Sequence, residues 1–180
     1  MSKLLEENLI DSMDEKSKGT ILRSMAIFTA IELCGSFLTG ETGQNTTQKN
    51  FVTFCESKYI PEAYHKISSL LYSIFRNGVS HSYVPKGAAY LTSDPGAKEL
   101  HLRFYESGLC IYVPQLAVDV TGAIKQLILD LKQEKKLNEN YYKVFSQLDQ
   151  VGKEIYQKYV KDNNIKTQAV VFQGDINIRL

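Results

Sequence analysis

Apolar residues recur at the 3.6-residue spacing of an α-helix over most of this chain. The spacing predicts helices over residues 3–12, 15–37, 47–57, 61 to about 76, 114–135 and 138–162. The second of these helices is apolar on most of its faces after Ile21, and a helix of that kind belongs at the centre of a bundle. Pro61 suits the first position of the fourth helix, because an N–H there would have no partner within the helix.

From Ala89 onwards apolar residues recur at every second position, which is typical of β-strands. Three strands are predicted over 89–93, 99–105 and 109–113, with turns at 94–97 and 106–108. Their short connections predict an inserted small antiparallel β-meander at about 88–113. In the second strand, His101 and Arg103 would share one face with Glu99, which is typical of a solvated sheet face. Strand character at about 168–180 indicates a C-terminal strand that extends the meander.

The length of 180 residues fits a single domain with a sizeable core. We therefore expect one domain over 1–180, helical over 1–84 and 114–164, of the mainly α (α+β) class. The chain contains 43% hydrophobic and 23% charged residues, as an ordinary globular protein does. Its formal net charge of +1 supplies no global basic field for nucleic acid, although a local basic cleft remains compatible with that charge.

The three cysteines, Cys34, Cys55 and Cys110, are scattered and form no C-x-x-C pair. This pattern predicts reduced, buried thiols in a cytoplasmic protein. The histidines and cysteines show no spacing suited to zinc, and no nucleotide-binding glycine motif occurs, so neither a metal nor a cofactor is expected. Glu32 interrupts the apolar run 24–38, which is too short to span a bilayer, and we expect no membrane association.

The segment Arg76-Asn77-Gly78-Val79-Ser80-His81-Ser82-Tyr83 combines residue types that can cleave RNA without a metal. His81 titrates near neutrality and can accept the proton of a ribose 2′-hydroxyl. Arg76 stays charged and presents a planar fork of donors to a phosphate that gains negative charge. The dipeptide Asn77-Gly78 could end the helix between them, and such a break would bring both side chains within reach of one phosphate.

This segment resembles the R-x4-6-H signature of the HEPN superfamily of small helical proteins. More narrowly, it resembles the R-x4-H-x-Y form of HEPN toxins that are paired with nucleotidyltransferase-type antitoxins. The matching residues are Arg76, the polar Asn77, His81 and Tyr83. The resemblance implies a HEPN-like antiparallel helical bundle that forms a homodimer, with two motifs facing one cleft. It also implies a metal-independent endoribonuclease that acts on RNA, in a toxin–antitoxin or defence setting. The β-meander departs from the minimal HEPN toxin, in which another helix usually follows the histidine.

The resemblance assigns His81 the role of general base and Arg76 the stabilisation of the phosphate. Asn77 would orient the substrate or Arg76, and Tyr83 would accept nucleotide groups whose phosphate blocks the site. Each residue also has a structural interpretation. Arg76 near a helix C-terminus complements the helix dipole, His81 could bond a backbone carbonyl, and Tyr83 could be a packed aromatic residue.

Glu32 and Tyr72 are candidates for supporting Arg76. Because an unpaired buried carboxylate is costly, Glu32 should either reach solvent at the edge of its apolar helix or meet a cation such as Arg76. The face of the fourth helix opposite its apolar stripe holds Arg76, Tyr72, Ser69 and His65. We expect that face to be solvated or to be turned toward a second subunit.

Two non-catalytic functions remain open from the sequence. One is a protein-interaction module on the same fold, which the near-neutral charge and the exposed edge of a β-meander favour. The other is a small-ligand sensor in which Arg76 holds a nucleotide or phosphate.

Overall fold

The structure, a computed structural model, describes residues 19–82, 87 and 89–166. This part of the chain is mainly helical with a small three-stranded mixed sheet, as the α+β expectation requires. The α-helices are α1 (Thr20–Thr39), α2 (Thr47–Cys55), α3 (Ser68–Leu70), α4 (Asn77–Ser82), α5 (Val113–Gln133) and α6 (Lys135–Asp162), and the strands are β1 (Ala89–Thr92), β2 (Phe104–Tyr105) and β3 (Gly108–Tyr112). The predicted N-terminal helix, the start of the next one and the C-terminal strand lie outside the described residues.

Helix α1 lies at the centre of the fold, as its apolar faces predict. It begins at Thr20, directly after Gly19, whose φ of 91° no α-helix accommodates. It ends at Gly40, which adopts the left-handed conformation and donates its N–H to the Ser36 carbonyl. By length and composition α1 is the one described helix apolar enough to cross a membrane, but more than half of that stretch is buried within the fold.

Aromatic packing aligns α1 with its neighbours. The ring of Phe28 lies 6.1 Å from that of Phe51 on α2 and 6.2 Å from that of Phe75. Helix α2 approaches α1 so closely that a Cβ placed on Gly35 would lie 1.8 Å from the Asn50 carbonyl oxygen. The glycine therefore permits the contact that brings these three aromatic residues together.

The predicted motif helix is a composite helix over residues 62–82, built from four consecutive pieces. A 3-10 segment, Glu62–Ile67, is followed by α3, by a π-helical turn over Leu71–Arg76 and by α4. At the end of the π-helical turn, the Asn77 N–H donates to the Tyr72 carbonyl, five residues earlier. Such turns are rare and frequently occur at functional sites.

One expectation about the composite helix was wrong. The helix continues through Asn77-Gly78 to Ser82, so no break separates positions 76 and 81. Of the two settings expected for the face that holds Arg76 and Tyr72, solvation does not hold, because Tyr72 is buried. A second subunit against that face stays a prediction.

The sheet differs from the predicted meander. Its order is β1-β3-β2, with β1 parallel to β3 and only β2 antiparallel to it. A 3-10 helix, Pro95–Leu100, occupies most of the predicted turn and the first two residues of the predicted second strand, and its first turn is capped by the Asp94 side chain. Of that predicted strand only Phe104–Tyr105 is a strand. The 3-10 helix carries the chain past β3 so that β1 and β3 can run in the same direction. Sequence spacing does not reveal such a crossover.

The two long helices after the sheet confirm their predictions to within a few residues. Helix α5 buries one face along its whole length. Helix α6 buries residues in its first half, from Leu137 to Val144, and is largely exposed beyond Gln147.

Candidate functional site

Arg76 forms an ion pair with Glu32 of α1, which realises one of the two expected alternatives for that carboxylate. Arg76 Nε lies 2.9 Å and Nη2 2.6 Å from the same oxygen, Glu32 Oε2. Both side chains are 21% exposed, so the pair lies at the edge of the core and is reached by solvent. The carboxylate fixes one edge of the guanidinium group.

The ring of Tyr72 packs against the same guanidinium group. Arg76 Cζ lies 5.7 Å from the centre of the Tyr72 ring, within the range of a cation–π contact. The ring itself is immobilised, since its edge packs against Phe51 and its hydroxyl lies 2.7 Å from Thr47 Oγ1. Three elements, α1, α2 and the composite helix, therefore position Arg76.

The core contacts explain why Glu32 and Arg76 meet. Glu32 lies one turn after Phe28 on α1, and Arg76 directly follows Phe75. The contact between the two phenylalanine rings aligns the helices so that the next position along α1 faces the guanidinium. The ion pair therefore depends on the packing of the core.

Arg76 keeps donors that Glu32 does not use. Glu32 accepts from Nε and Nη2, and the described side chains supply no partner for Nη1. A guanidinium group with one edge fixed and another edge open can donate to an anion without first being ordered. Carboxylate and phosphate oxygens are the acceptors that suit this chemistry.

The other motif residues are described to different extents. Asn77 is the first residue of α4 and is partly exposed. The backbone of His81 belongs to α4, whereas its side chain and Tyr83 lie outside the described part. On a continuous helix, positions 76 and 81 are about 140° apart around the axis and about 7.5 Å apart along it.

A second polar cluster joins His101, Tyr64 and Asp119, and the sequence interpretation missed it. The Tyr112 N–H donates to His101 Nδ1, so the neutral ring carries its proton at Nε2 and donates it to the Tyr64 hydroxyl, 2.7 Å away. That hydroxyl donates to Asp119 Oδ2 at 2.6 Å, and Gln115 donates to Asp119 Oδ1. His101 is thus not on a solvated strand face with Glu99 and Arg103.

Backbone geometry orients His101 toward this cluster. Leu102 has a φ of 60°, which is unusual for a bulky residue, and its N–H donates to the Cys110 carbonyl. Burial lowers the pKa of His101, while the nearby Asp119 acts in the opposite direction. Burial, followed by the hydrogen bond to Asp119, raises the pKa of Tyr64 far above its usual range. The cluster therefore holds a neutral histidine and a protonated tyrosine, and every polar atom in it has a partner.

A cavity of about 290 Å³ lies elsewhere, beside the junction of α5 and α6. Its polar lining comes from Ser57, Lys58, Tyr59, Glu134, Lys136 and Asn140. Lys58 is already bound to Asp130 and Glu134, which raises its pKa by hydrogen bonding. The cavity therefore presents few free polar groups and is a weaker candidate than the Arg76 site.

The three cysteines are free and buried, as predicted. Burial raises the pKa of Cys55 to about 12 and raises those of Cys34 and Cys110 as well, so none is a ready nucleophile. In the described part of the chain, no group of three or more histidine, cysteine, aspartate or glutamate side chains is arranged to hold a metal ion.

Comparison with known proteins assigns no family to this chain: no family model matches it, and neither the curated proteins nor the solved structures provide a match.

Proposed function

We propose that this protein is a metal-independent endoribonuclease of the HEPN type, in which Arg76 stabilises the phosphate and His81 acts as general base. The observation that carries the proposal is the guanidinium of Arg76, oriented by Glu32 and Tyr72 at the start of the motif. A cation ordered before its ligand arrives is the arrangement that transition-state stabilisation requires.

The reaction transfers the phosphorus from one oxygen of the RNA chain to another. His81 accepts the proton of the ribose 2′-hydroxyl as that oxygen attacks phosphorus, and Nη1 of Arg76 donates to a non-bridging oxygen that gains charge. The bond to the 5′-oxygen breaks, and this oxygen takes up a proton. The products are a 2′,3′-cyclic phosphate and a 5′-hydroxyl.

The continuous helix places a condition on this mechanism. Because positions 76 and 81 lie on different faces of the helix, a motif within one chain does not converge on one phosphate as a broken helix would. The homodimer implied by the HEPN resemblance meets the condition, since Arg76 of one copy and His81 of the other can face one cleft.

The biological setting proposed here is a cytoplasmic toxin–antitoxin or defence system. Tyr83 lies two residues after His81, so a nucleotide group attached to its hydroxyl would place phosphate charge beside the catalytic histidine. A nucleotidyltransferase-type antitoxin is the partner that this arrangement fits.

The test is incubation of the purified protein with total RNA in the presence of EDTA. We expect the wild type to leave cyclic-phosphate ends, whereas His81→Ala and Arg76→Ala cleave at least about 100-fold more slowly. Arg103→Ala is the matched control, because Arg103 is an exposed arginine outside the site and its loss should leave cleavage unchanged. Equal cleavage by the wild type and His81→Ala would contradict the proposal.

Phosphate or nucleotide binding without cleavage is the second candidate, and the unbroken helix between positions 76 and 81 favours it. A short fluorescent RNA that binds the wild type, stays intact and is released by Arg76→Ala would establish this function. A protein partner retained by Arg76→Ala, with no RNA bound, would instead indicate the interaction module.

A further inference from the structure

The ion pair of Glu32 and Arg76 leaves one atom unused on each partner. Arg76 contacts Oε2 of Glu32 through both Nε and Nη2, so its Nη1 and the second carboxylate oxygen, Oε1, take no part in the pair. The described side chains supply no other partner for either atom. The pair therefore presents a free acceptor beside a free donor.

Both unused atoms reach solvent. Each of the two side chains is 21% exposed. Among the described residues, every buried side-chain nitrogen or oxygen has a hydrogen-bond partner. Since Nη1 of Arg76 and Oε1 of Glu32 have none, they are not buried, and a ligand can approach them from outside. Each is bonded to a carbon that also carries an atom of the ion-pair contact, so the two lie within roughly the length of one nucleotide of each other.

The free carboxylate oxygen makes the site poorly suited to a bare anion. A phosphate that accepts from Nη1 of Arg76 also lies near the negative charge of Glu32, which repels it. A ligand offsets this repulsion when it carries a hydrogen-bond donor next to its phosphate. In the backbone of a nucleic acid, the 2′-hydroxyl of ribose is such a donor, and DNA lacks it.

We propose that Glu32 selects RNA over DNA by accepting a hydrogen bond from a ribose 2′-hydroxyl at Oε1, while Nη1 of Arg76 donates to the adjoining phosphate. The inference rests on the proposed function, because it assumes that Arg76 binds the phosphate of RNA. A hydroxyl that donates to a charged acceptor forms one of the stronger hydrogen bonds in proteins. Glu32 then determines specificity as well as anchoring Arg76.

The proposed reaction decides which ribose Glu32 contacts. At the linkage that is cleaved, the ribose on the 5′ side gives its hydroxyl proton to His81, so that hydroxyl has no second proton to donate. The ribose on the 3′ side keeps its hydroxyl proton. Glu32 belongs to the same copy of the chain as the Arg76 that it contacts, so the RNA strand should lie with its 3′ side over α1.

Two dinucleotides test the contact on the wild-type protein without cleavage. In the first, deoxyuridine precedes uridine, so the linkage lacks the attacking 2′-hydroxyl and stays intact, while the 3′ sugar keeps its own hydroxyl. The second carries fluorine in place of that hydroxyl and so lacks the donor. In titrations followed by the NMR signal of the Arg76 Nε–H, we expect the wild type to bind the hydroxyl form about 10-fold more tightly. Equal affinities, or no binding of either dinucleotide, would overturn the proposal.

Glu32→Gln separates recognition of the hydroxyl from the anchoring of Arg76. An amide has a single oxygen, which Arg76 keeps as its acceptor, so the amide nitrogen takes the place of Oε1 and can only donate. We expect this variant still to bind the fluorinated dinucleotide but to lose the roughly 10-fold preference for the hydroxyl form. If the preference stays and both affinities fall equally, Glu32 only anchors Arg76 and the proposal is wrong.

Glu41→Gln is the matched control. Glu41 also pairs with a cation, Lys49 at 2.8 Å, and it lies beyond the C-terminal end of α1, outside the site. This variant removes the same charge and should keep the preference of the wild type. A loss of the preference here would trace it to overall charge and overturn the proposal. The wild-type comparison needs no substitution, so it decides the question even if Glu32→Gln unfolds.

Cleavage of total RNA is measured separately, so the two possible failures are distinguishable. A protein that cleaves RNA but binds both dinucleotides equally contradicts this inference alone. A protein that prefers the hydroxyl form but leaves RNA intact contradicts the proposed ribonuclease alone.

Discussion

Arg76 contacts a single carboxylate oxygen of Glu32 twice, across 44 positions of sequence, with a hydrogen bond from Nε and an ion-pair contact from Nη2. The pair joins α1 to the composite helix at the edge of the core, where solvent screens it only in part. Its free energy should therefore lie between that of an exposed ion pair and that of a buried one.

A double-mutant cycle with Glu32→Gln and Arg76→Met measures this coupling. We expect about 1 to 2 kcal/mol, from the free energies of unfolding in urea. The exposed pair Lys153–Asp149 on α6 is the control and should couple by about 0.3 to 0.5 kcal/mol. Equal couplings would show that partial burial adds nothing to the Arg76 pair.

The free energy of unfolding should fall on acidification through His101. Burial lowers the pKa of this ring below its ordinary value of 6.5 in the folded protein. Above 6.5 the ring is neutral in both states and its contribution is complete. As the pH falls through 6.5 the unfolded chain binds the proton first, so stability is lost progressively down to the folded pKa.

Urea titrations at a series of pH values between 7.5 and 5 measure this loss. Protonation of Nδ1 would set it against the Tyr112 N–H, which now donates to it. His101→Gln should lower the stability at neutral pH and show a flatter dependence on pH than the wild type. An unchanged slope in that variant would mean that other groups cause the acid sensitivity.

Two glycines on helices should respond in opposite ways to alanine. Gly35→Ala forces a Cβ against the Asn50 carbonyl, so we expect a loss of about 3 kcal/mol or more in unfolding free energy. Gly122→Ala on α5 meets nothing within 4 Å and should add about 0.5 to 1 kcal/mol. Chemical denaturation of both variants measures these changes in unfolding free energy. A Gly35→Ala protein as stable as the wild type would contradict the close approach of α1 and α2.

The cysteine thiols should be unreactive in the folded protein. All three are buried, and burial raises their pKa values, so little thiolate forms near neutral pH. A disulfide reagent should label them only at the rate of unfolding, and completely in denaturant. Fast labelling of a thiol in the native state would show local opening around it.

The helices after the sheet could be predicted closely from the sequence. Helices α5 and α6 carry regular amphipathic spacing over many turns, and this local pattern survives packing. The sequence also predicts the position of the composite helix, but not its internal geometry. Its π-helical turn and its continuity through Asn77-Gly78 arise from contacts with α1 and α2. The parallel pairing of β1 with β3 was likewise missed, since hydrogen-bond register between strands about twenty positions apart leaves no periodic signal.

The features of the candidate site also fall into two groups, those that the sequence predicts and those that only the folded structure brings together. The sequence by itself determined the residue types of the motif and the cost of burying Glu32 without a partner. The tertiary structure decided that this partner is Arg76, and that His101 joins Tyr64 and Asp119 and not a solvated strand face. Helical spacing is set by hydrogen bonds between residues a few positions apart, whereas these contacts join residues 44, 37 and 55 positions apart, which only the packing of the core brings together.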